Sequence, residues 1–259
     1  MDLGLKGKRA LVLSSSRGLG KASAESLAAE GAEVFMTARS ADKLEETVKA
    51  INAKGGKAHA YAADLTKDTD KIYEAAVAAM GGVDILIANT GGPPARVAAE
   101  VEPGDWTPQF EAMVKPVFRL AQLALPGMRE RGWGRIVTIA SSGVIQPIPN
   151  LAMSNALRSA IVGWAKTLAS EVAKDGITVN LVLPGRIETD RTKELDEANA
   201  KRSGKSPEEV AAASRASIPA DRYGTTEEFG DVVCFMASDR ASYMTGGLIR
   251  VDGGSIRSV

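Results

Sequence analysis

The chain has one cysteine and one histidine in 259 residues. A lone Cys234 excludes an intrachain disulfide, and Cys234 with His59 is too small a set of soft ligands for a zinc site of the usual kind. The same scarcity argues against a Ser-His-Asp or Cys-His hydrolase. His59 would have to be its only base, and Cys234 sits in the apolar run Val-Val-Cys-Phe-Met, where a packing role is expected. Charge of one sign is also lacking: 32 basic residues balance 32 acidic ones, so nothing attracts a nucleic-acid backbone or an anionic membrane. No stretch approaches the roughly 18 apolar residues of a membrane helix, and the start, Met-Asp-Leu-Gly-Leu-Lys-Gly-Lys, lacks the apolar segment of a secretory signal. A cytoplasmic protein without membrane or nucleic-acid partners is expected. What remains is ordinary for a soluble globular chain, with 44% hydrophobic and 25% charged residues.

Short apolar runs alternate with segments of helical period. The runs are Ala10–Leu13, Val34–Met36, Tyr61–Ala63, Ile85–Ala88, Ile136–Ala140, Val179–Leu183 and Leu248–Val251. Near-continuous apolar character is expected of parallel strands covered by helices on both faces. Between the runs, Leu44, Val48 and Ile51 share one helical face, as do Leu157, Ile161, Trp164, Leu168 and Val172. Phe229, Val232, Val233 and Met236 predict another helix, opened by a Thr225-x-x-Glu228 capping box. The pattern predicts an α/β fold: one Rossmann-type domain over 1–259 with a doubly wound, parallel, seven-stranded sheet. A polar excursion at about 190–222 contains the helix start Ser206-Pro207-Glu208-Glu209 and predicts a helical flap over a site.

After the first run comes Ser14-Ser15-Ser16-Arg17-Gly18-Leu19-Gly20, then a helical pattern with Ala24, Leu27 and Ala28. Such a turn aims backbone N–H groups and a helix N-terminus at an anion, and its glycines admit a diphosphate. The loop resembles that of the short-chain dehydrogenase/reductase family, Thr-Gly-x-x-x-Gly-x-Gly, with Leu13 and Ser14 in place of the threonine and first glycine. The resemblance covers about Leu5 to Gly254. It implies adenine contacts by Asp64 and Leu65, a cofactor-side turn at Asn89-Thr90-Gly91, and a nicotinamide loop Pro184-Gly185-Arg186-Ile187-Glu188-Thr189 acting through Ile187 and Thr189. Cofactor contacts are thus expected at Ser14, Ser16, Arg17, Gly18, Leu19, Gly20, Asp64, Leu65, Asn89, Gly91, Pro184, Gly185, Ile187 and Thr189. Arg39 follows the second run, where an NAD binder carries an acid for the ribose 2′-OH. An arginine there offers a 2′-phosphate a charge-assisted partner, which favours NADP(H) over NAD(H).

The catalytic end breaks the pattern. In the family, a serine after the fifth strand is followed thirteen positions later by Tyr-x-x-x-Lys. Here the serine is Ser141, and the corresponding positions hold Ser154 and Arg158; Gly163-Trp164-Ala165-Lys166-Thr167-Leu168 sets that register. Tyr61, Tyr73, Tyr223 and Tyr243 are followed at the fourth position by Leu65, Val77, Glu227 and Gly247, so no shifted register restores the motif. The family's relay asparagine falls on Met113. A phenol, ordinarily near pKa 10, can be tuned to exchange protons near neutrality; a serine hydroxyl is a far weaker acid, and an arginine does not relay protons.

The resemblance implies an NADP(H)-dependent oxidoreductase similar to the β-ketoacyl-carrier-protein reductase branch, with candidate catalytic residues Ser141, Ser154 and Arg158 and a small-molecule substrate. An anionic substrate would be met by Arg186 and Arg96. A dinucleotide-binding sensor or assembly protein is the rival, and a lyase or isomerase on the same scaffold is a third reading. A homotetramer is expected from the resemblance and from long helices at about 106–131 and 152–173 with exposed apolar flanks. Pro116 is expected to kink the first of these, and Ser154 and Arg158 to share one face of the second. The strand order carried over from the family is 3-2-1-4-5-6-7.

Overall fold

Strands β1 (Arg9–Leu13), β4 (Ile85–Ala88), β5 (Gly134–Ile139) and β6 (Ile177–Pro184) are buried along almost their whole length, which is why their sequences are nearly continuous in apolar residues. The structure, a computed structural model, describes residues 1–258. With β2 (Glu33–Ala38), β3 (Lys57–Ala62) and β7 (Leu248–Val251) these strands form one seven-stranded sheet in the order β3-β2-β1-β4-β5-β6-β7, with every pairing parallel. The expected order holds. The third run was placed too late, at 61–63: β3 starts at Lys57 because an edge strand alternates buried and exposed residues and offers no continuous apolar run.

Successive residues of each central strand feed opposite faces. Ala10, Val12, Ile85 and Ile87 pack toward α1 (Gly18–Ala29), α2 (Ala41–Ala53) and α9 (Thr226–Met236). Leu11, Leu13, Leu86 and Ala88 pack toward α3 (Thr69–Met80), α5 (Lys115–Glu130) and α6 (Ala152–Val172). In α6 the stripe Leu157, Ile161, Leu168 and Val172 is buried, while Trp164 lies at its edge and stacks on Phe118 of α5 at 4.4 Å. The order of the sheet reverses between β1 and β4, and there the flanking helices part to leave a crevice at the C-terminal strand ends.

Pro116 breaks its helix instead of kinking it. Because it has no N–H for the Ala112 carbonyl, α4 (Pro103–Met113) ends and α5 restarts with Pro116 in its first turn, where no intrahelical donor is needed. Between β6 and α9 the polar excursion holds α7 (Asp190–Ser203) and α8 (Pro207–Ala216). The Ser206–Glu209 and Thr225–Glu228 capping boxes both form.

At the opposite end of the sheet, Asp84 ties β1 to β4. Its carboxylate accepts from Arg9 Nε at 2.7 Å, Arg9 Nη2 at 2.8 Å and the Arg9 backbone N–H at 3.0 Å, and Arg131 Nε approaches to 2.7 Å. Burial pushes this carboxyl up, but the Arg9 hydrogen bonds and the two guanidinium charges hold it below its ordinary 3.8. A depressed carboxylate stabilises the fold above its unfolded-state value, so this contribution is complete above about pH 4 and is lost as pH falls through the depressed value. Asp84→Asn is expected to cost about 2–4 kcal/mol in urea unfolding at neutral pH and to flatten the acid limb of the stability profile.

Candidate active site

The turn after β1 is shaped by what cannot fit there. A Cβ on Gly20 would lie 2.6 Å from the Ser14 carbonyl oxygen, 2.8 Å from Asn89 Nδ2 and 3.1 Å from the Leu13 carbonyl oxygen, so only glycine lets α1 start so close to the strand end. Asn89 Nδ2 in turn donates to the Ser14 carbonyl at 3.3 Å, locking the tip of β4 to this turn. Ser15 is fully buried; its hydroxyl donates to the Val12 carbonyl at 3.0 Å. Arg17 is the N-cap of α1, with extended backbone and no capping side chain, and no acid occupies the first turn. The first backbone N–H groups of α1 are therefore free for an anion. Leu19 packs on the α1 side of the core, and Ser16 and Gly18 are half-buried at the lip.

Arg39 is exposed just beyond β2 and, among the described residues, makes neither ion pair nor hydrogen bond. Beyond β3, Asp64 Oδ1 accepts from the Thr66 hydroxyl at 2.7 Å and backbone N–H at 3.0 Å, which hold its carboxyl below the ordinary value, with Lys67 and Arg39 adding to the effect. Leu65 packs against the core beside it.

The loop after β6 closes the crevice from the other side. Pro184 ends β6 and the Gly185 N–H donates to the Val251 carbonyl at 2.9 Å. Ile187 is buried, bridging to Gly224, and Thr189 caps α7 by accepting from the Thr192 N–H at 3.2 Å. A Cβ on Gly18 would stand 3.6 Å from Thr189 Cγ2, so the two loops nearly touch. Arg17 reaches across to α7, with Nη1 at 3.0 Å from Asp190 Oδ2 and 3.8 Å from Glu194 Oε1. Arg186 and Arg96 are paired with acids too. Arg186 Nη1 meets the buried carboxylate of Asp196 at 2.8 Å, which also accepts from the Tyr223 hydroxyl at 2.8 Å, and Arg96 pairs with Asp105 at 2.7 Å.

At the catalytic end, Ser141 ends the β5 turn, and its Oγ accepts from the Gly143 N–H at 3.1 Å, leaving its own proton free to donate. Ser154 and Arg158 lie one helical turn apart on α6, but the two sides of the expected pair differ in character. Ser154 is half-buried and has no hydrogen-bond partner among the described residues. Arg158 is buried, donating through Nη1 to the Ile139 carbonyl at 3.0 Å and through Nη2 to the Gly91 carbonyl at 3.4 Å. Its guanidinium spans the ends of β5 and β4. Met113, at the relay position, is buried in the core and offers no polar atom for a proton chain.

A family model described as enoyl-(acyl carrier protein) reductase matches residues 13–255. The chain belongs to the short-chain dehydrogenase/reductase family. It is 36% identical over 254 residues to the 3-oxoacyl-[acyl-carrier-protein] reductase FabG of Vibrio cholerae, covering 97% of this chain and 98% of that relative. An uncharacterised oxidoreductase of Bacillus subtilis, YvrD, is 32% identical over 264 residues, covering all of both chains. Among solved structures, L-sorbose reductase from Gluconobacter frateurii complexed with NADPH and L-sorbose superposes with a TM-score of 0.94 at 33% identity over the full length of both. YwfH, an NADPH-dependent reductase involved in bacilysin biosynthesis, gives 0.93 at 28% identity, covering 97% of this chain and 100% of that one.

Two residues that shape this family member's site carry no local signal in the sequence. Asn155 donates to the Ile148 carbonyl at 3.0 Å and clamps the loop after β5 onto α6. Arg191, in the first turn of α7, donates to the Pro93 carbonyl at 3.4 Å beyond the tip of β4. Asn155 acts within one loop and helix start, whereas Arg191 acts across a sequence gap that only the folded sheet closes. The family's glycine at position 14 is a serine with φ +47°, in the left-handed region. Ser14→Gly is expected to raise stability by about 1 kcal/mol, read as a higher urea midpoint at unchanged slope; a lowered midpoint would show that the serine is not strained.

Proposed function

We propose that this short-chain dehydrogenase/reductase is an NADP(H)-dependent oxidoreductase that moves hydride to or from a carbonyl or hydroxyl carbon through a site without the usual phenol. The observation that carries the reading is the cofactor end: the uncapped start of α1 and Gly20 with no room for a Cβ lie where the strand order reverses, and an unpartnered Arg39 lies one strand over, beyond β2. NADP(H) fits these residues. The N–H groups of α1 suit its diphosphate, Arg39 its 2′-phosphate, Asp64 and Leu65 its adenine, and Ile187 and Thr189 its nicotinamide. NADPH-bound relatives of the same architecture support the preference.

When bound, the dinucleotide supplies the hydride. Ser141 donates its free proton to the substrate oxygen and polarises the carbonyl, while its own oxygen is steadied by the Gly143 N–H. Arg158 fixes the strand ends that frame the nicotinamide end of the crevice. Helices α7 and α8 cover it as the substrate flap. No side chain here has the tunable acidity of a phenol, and such general-acid assistance is worth about 10²–10⁴ in rate, or about 3–5 kcal/mol of barrier. A second reading, a dinucleotide-binding sensor with impaired catalysis, draws on the apolar Met113 and the carbonyl-bound Arg158, which together leave no proton relay. A homo-oligomer, most simply a tetramer, is supported by two apolar exposures. One is the groove of about 780 Å³ beside Phe118, Leu125, Trp164 and Leu168, and the other is the exposed Tyr243, Met244 and Leu248 at the β7 edge.

Reduction of simple ketones, followed as NADPH oxidation, is expected to be slow in the parent and faster in Ser154→Tyr/Arg158→Lys, with neither single change sufficient and Met113→Asn adding further. A parent as fast as an intact family reductase would overturn the reading of Ser154 as a lost acid. Tryptophan quenching is expected to show tighter binding of NADPH than NADH, and Arg39→Asp to reverse that order. Equal affinities in the unmodified protein would refute the role given to Arg39.

A further inference from the structure

Arg158 is a buried cation without an anion. It is 8% exposed, and among the described residues no carboxylate pairs with it. Its partners are two neutral carbonyl oxygens, and of the five N–H bonds of a guanidinium these use two. Arg191 adds a second positive charge beside it. The two side chains grip carbonyls two residues apart on the segment beyond β4, Arg158 at Gly91 and Arg191 at Pro93. Arg191 has one acidic neighbour, Glu194 at 3.5 Å, and that pair is half exposed on both sides. Burial, with the Arg191 charge added, pulls the Arg158 guanidinium down to about 10, so it still carries its charge at neutral pH.

Burying an uncompensated charge beside a like charge is costly, and folds keep such an arrangement where an arriving ligand completes it. Ser154, one turn earlier on α6, stands where the family has a phenol ring, and its hydroxyl has no partner among the described residues. The other arginines near the mouth do not compete, because Arg186 and Arg96 are already neutralised by Asp196 and Asp105.

We propose that Arg158 and Arg191 form the binding site for a carboxylate of the substrate, beside Ser154 one helical turn from Arg158 on α6. The inference rests on the oxidoreductase reading above and narrows its substrates to small oxo acids or the corresponding hydroxy acids. A carboxylate suits the site better than a phosphate. The N–H bonds left on Arg158 lie in one plane, which matches a flat two-oxygen group, and at a buried guanidinium a monoanion costs less to desolvate than a phosphate dianion. Arg158 is a binding residue in this arrangement, and Ser141 is left to polarise the carbonyl.

The test uses pyruvate, acetoacetate and levulinate, each beside its methyl ester, titrated calorimetrically into the protein with and without saturating NADPH. At least one acid is expected to bind about 10–100-fold more tightly than its ester, the loss expected when a charged hydrogen-bonding pair is removed. Arg191→Gln is expected to abolish that margin and Arg191→Lys to keep part of it, with NADPH affinity unchanged in both. Arg158→Lys supplies a second variant, checked for folding by its melting curve, and is also expected to shrink the margin. Equal binding of every acid and its ester, a margin that survives Arg191→Gln and a folded Arg158→Lys, or inorganic phosphate competing as well as the acids would each overturn the carboxylate site. An acid margin without NADPH binding would leave the site standing and sink the oxidoreductase reading; NADPH binding without a margin would do the reverse.

Discussion

The approach of Gly20 to the Ser14 carbonyl and Asn89 is the constraint on which the site depends. Because no Cβ intervenes, α1 begins directly against the ends of β1 and β4, the two strands between which the sheet order reverses. Its free N–H groups therefore open into the crevice and not onto the molecular surface. The packing of α1 against α9 and of β4 against β5 then sets where Arg39, Ser141 and the loop after β6 arrive. A short backbone contact thus determines the position of side chains contributed from most of the chain's length.

The cofactor end and the catalytic end of this molecule have diverged in kind. At the first, contacts come mainly from backbone geometry, which tolerates side-chain change; even Ser14 keeps the left-handed turn of the glycine it replaces. At the second, chemistry of the proposed kind would reside in particular functional groups, and by the register read from the sequence Met113, Ser154 and Arg158 stand at three of the four positions. Arg158 has a structural task that is visible. Its guanidinium cross-links β4 and β5 through carbonyls, a task that needs donors and no titration.

The sheet was legible because buried parallel strands must be apolar on both faces, and β1, β4, β5 and β6 are. Edge strand β3 was misplaced by several residues because half of its side chains face water. Pro116 was legible as a disturbance, but whether a proline kinks or ends a helix depends on how the flanking turns pack. In the site, glycines and Ser141 could be read from spacing, since their roles are local. The partners of arginines could not be read: Arg17, Arg96 and Arg186 are each paired with an acid that only folding brings alongside. Arg191 went unnoticed for the converse reason, since its interest lies in a neighbour more than thirty residues away.

Helix α7 is held very unevenly along its length. Its middle is fastened by Asp196, a buried carboxylate shared by Arg186 and Tyr223. Its first turn is tied by Arg17 to Asp190, a pair exposed on both sides, and by one long bond from Arg191 to Pro93. Exposed pairs contribute about 1 kcal/mol or less and weaken as salt screens them, whereas the buried anchor is little affected. Within the first turn itself, Thr189 caps the Thr192 N–H and the Thr192 hydroxyl donates to the Ile187 carbonyl at 2.6 Å, so the Arg17–Asp190 tie is the one part of this attachment that added salt weakens.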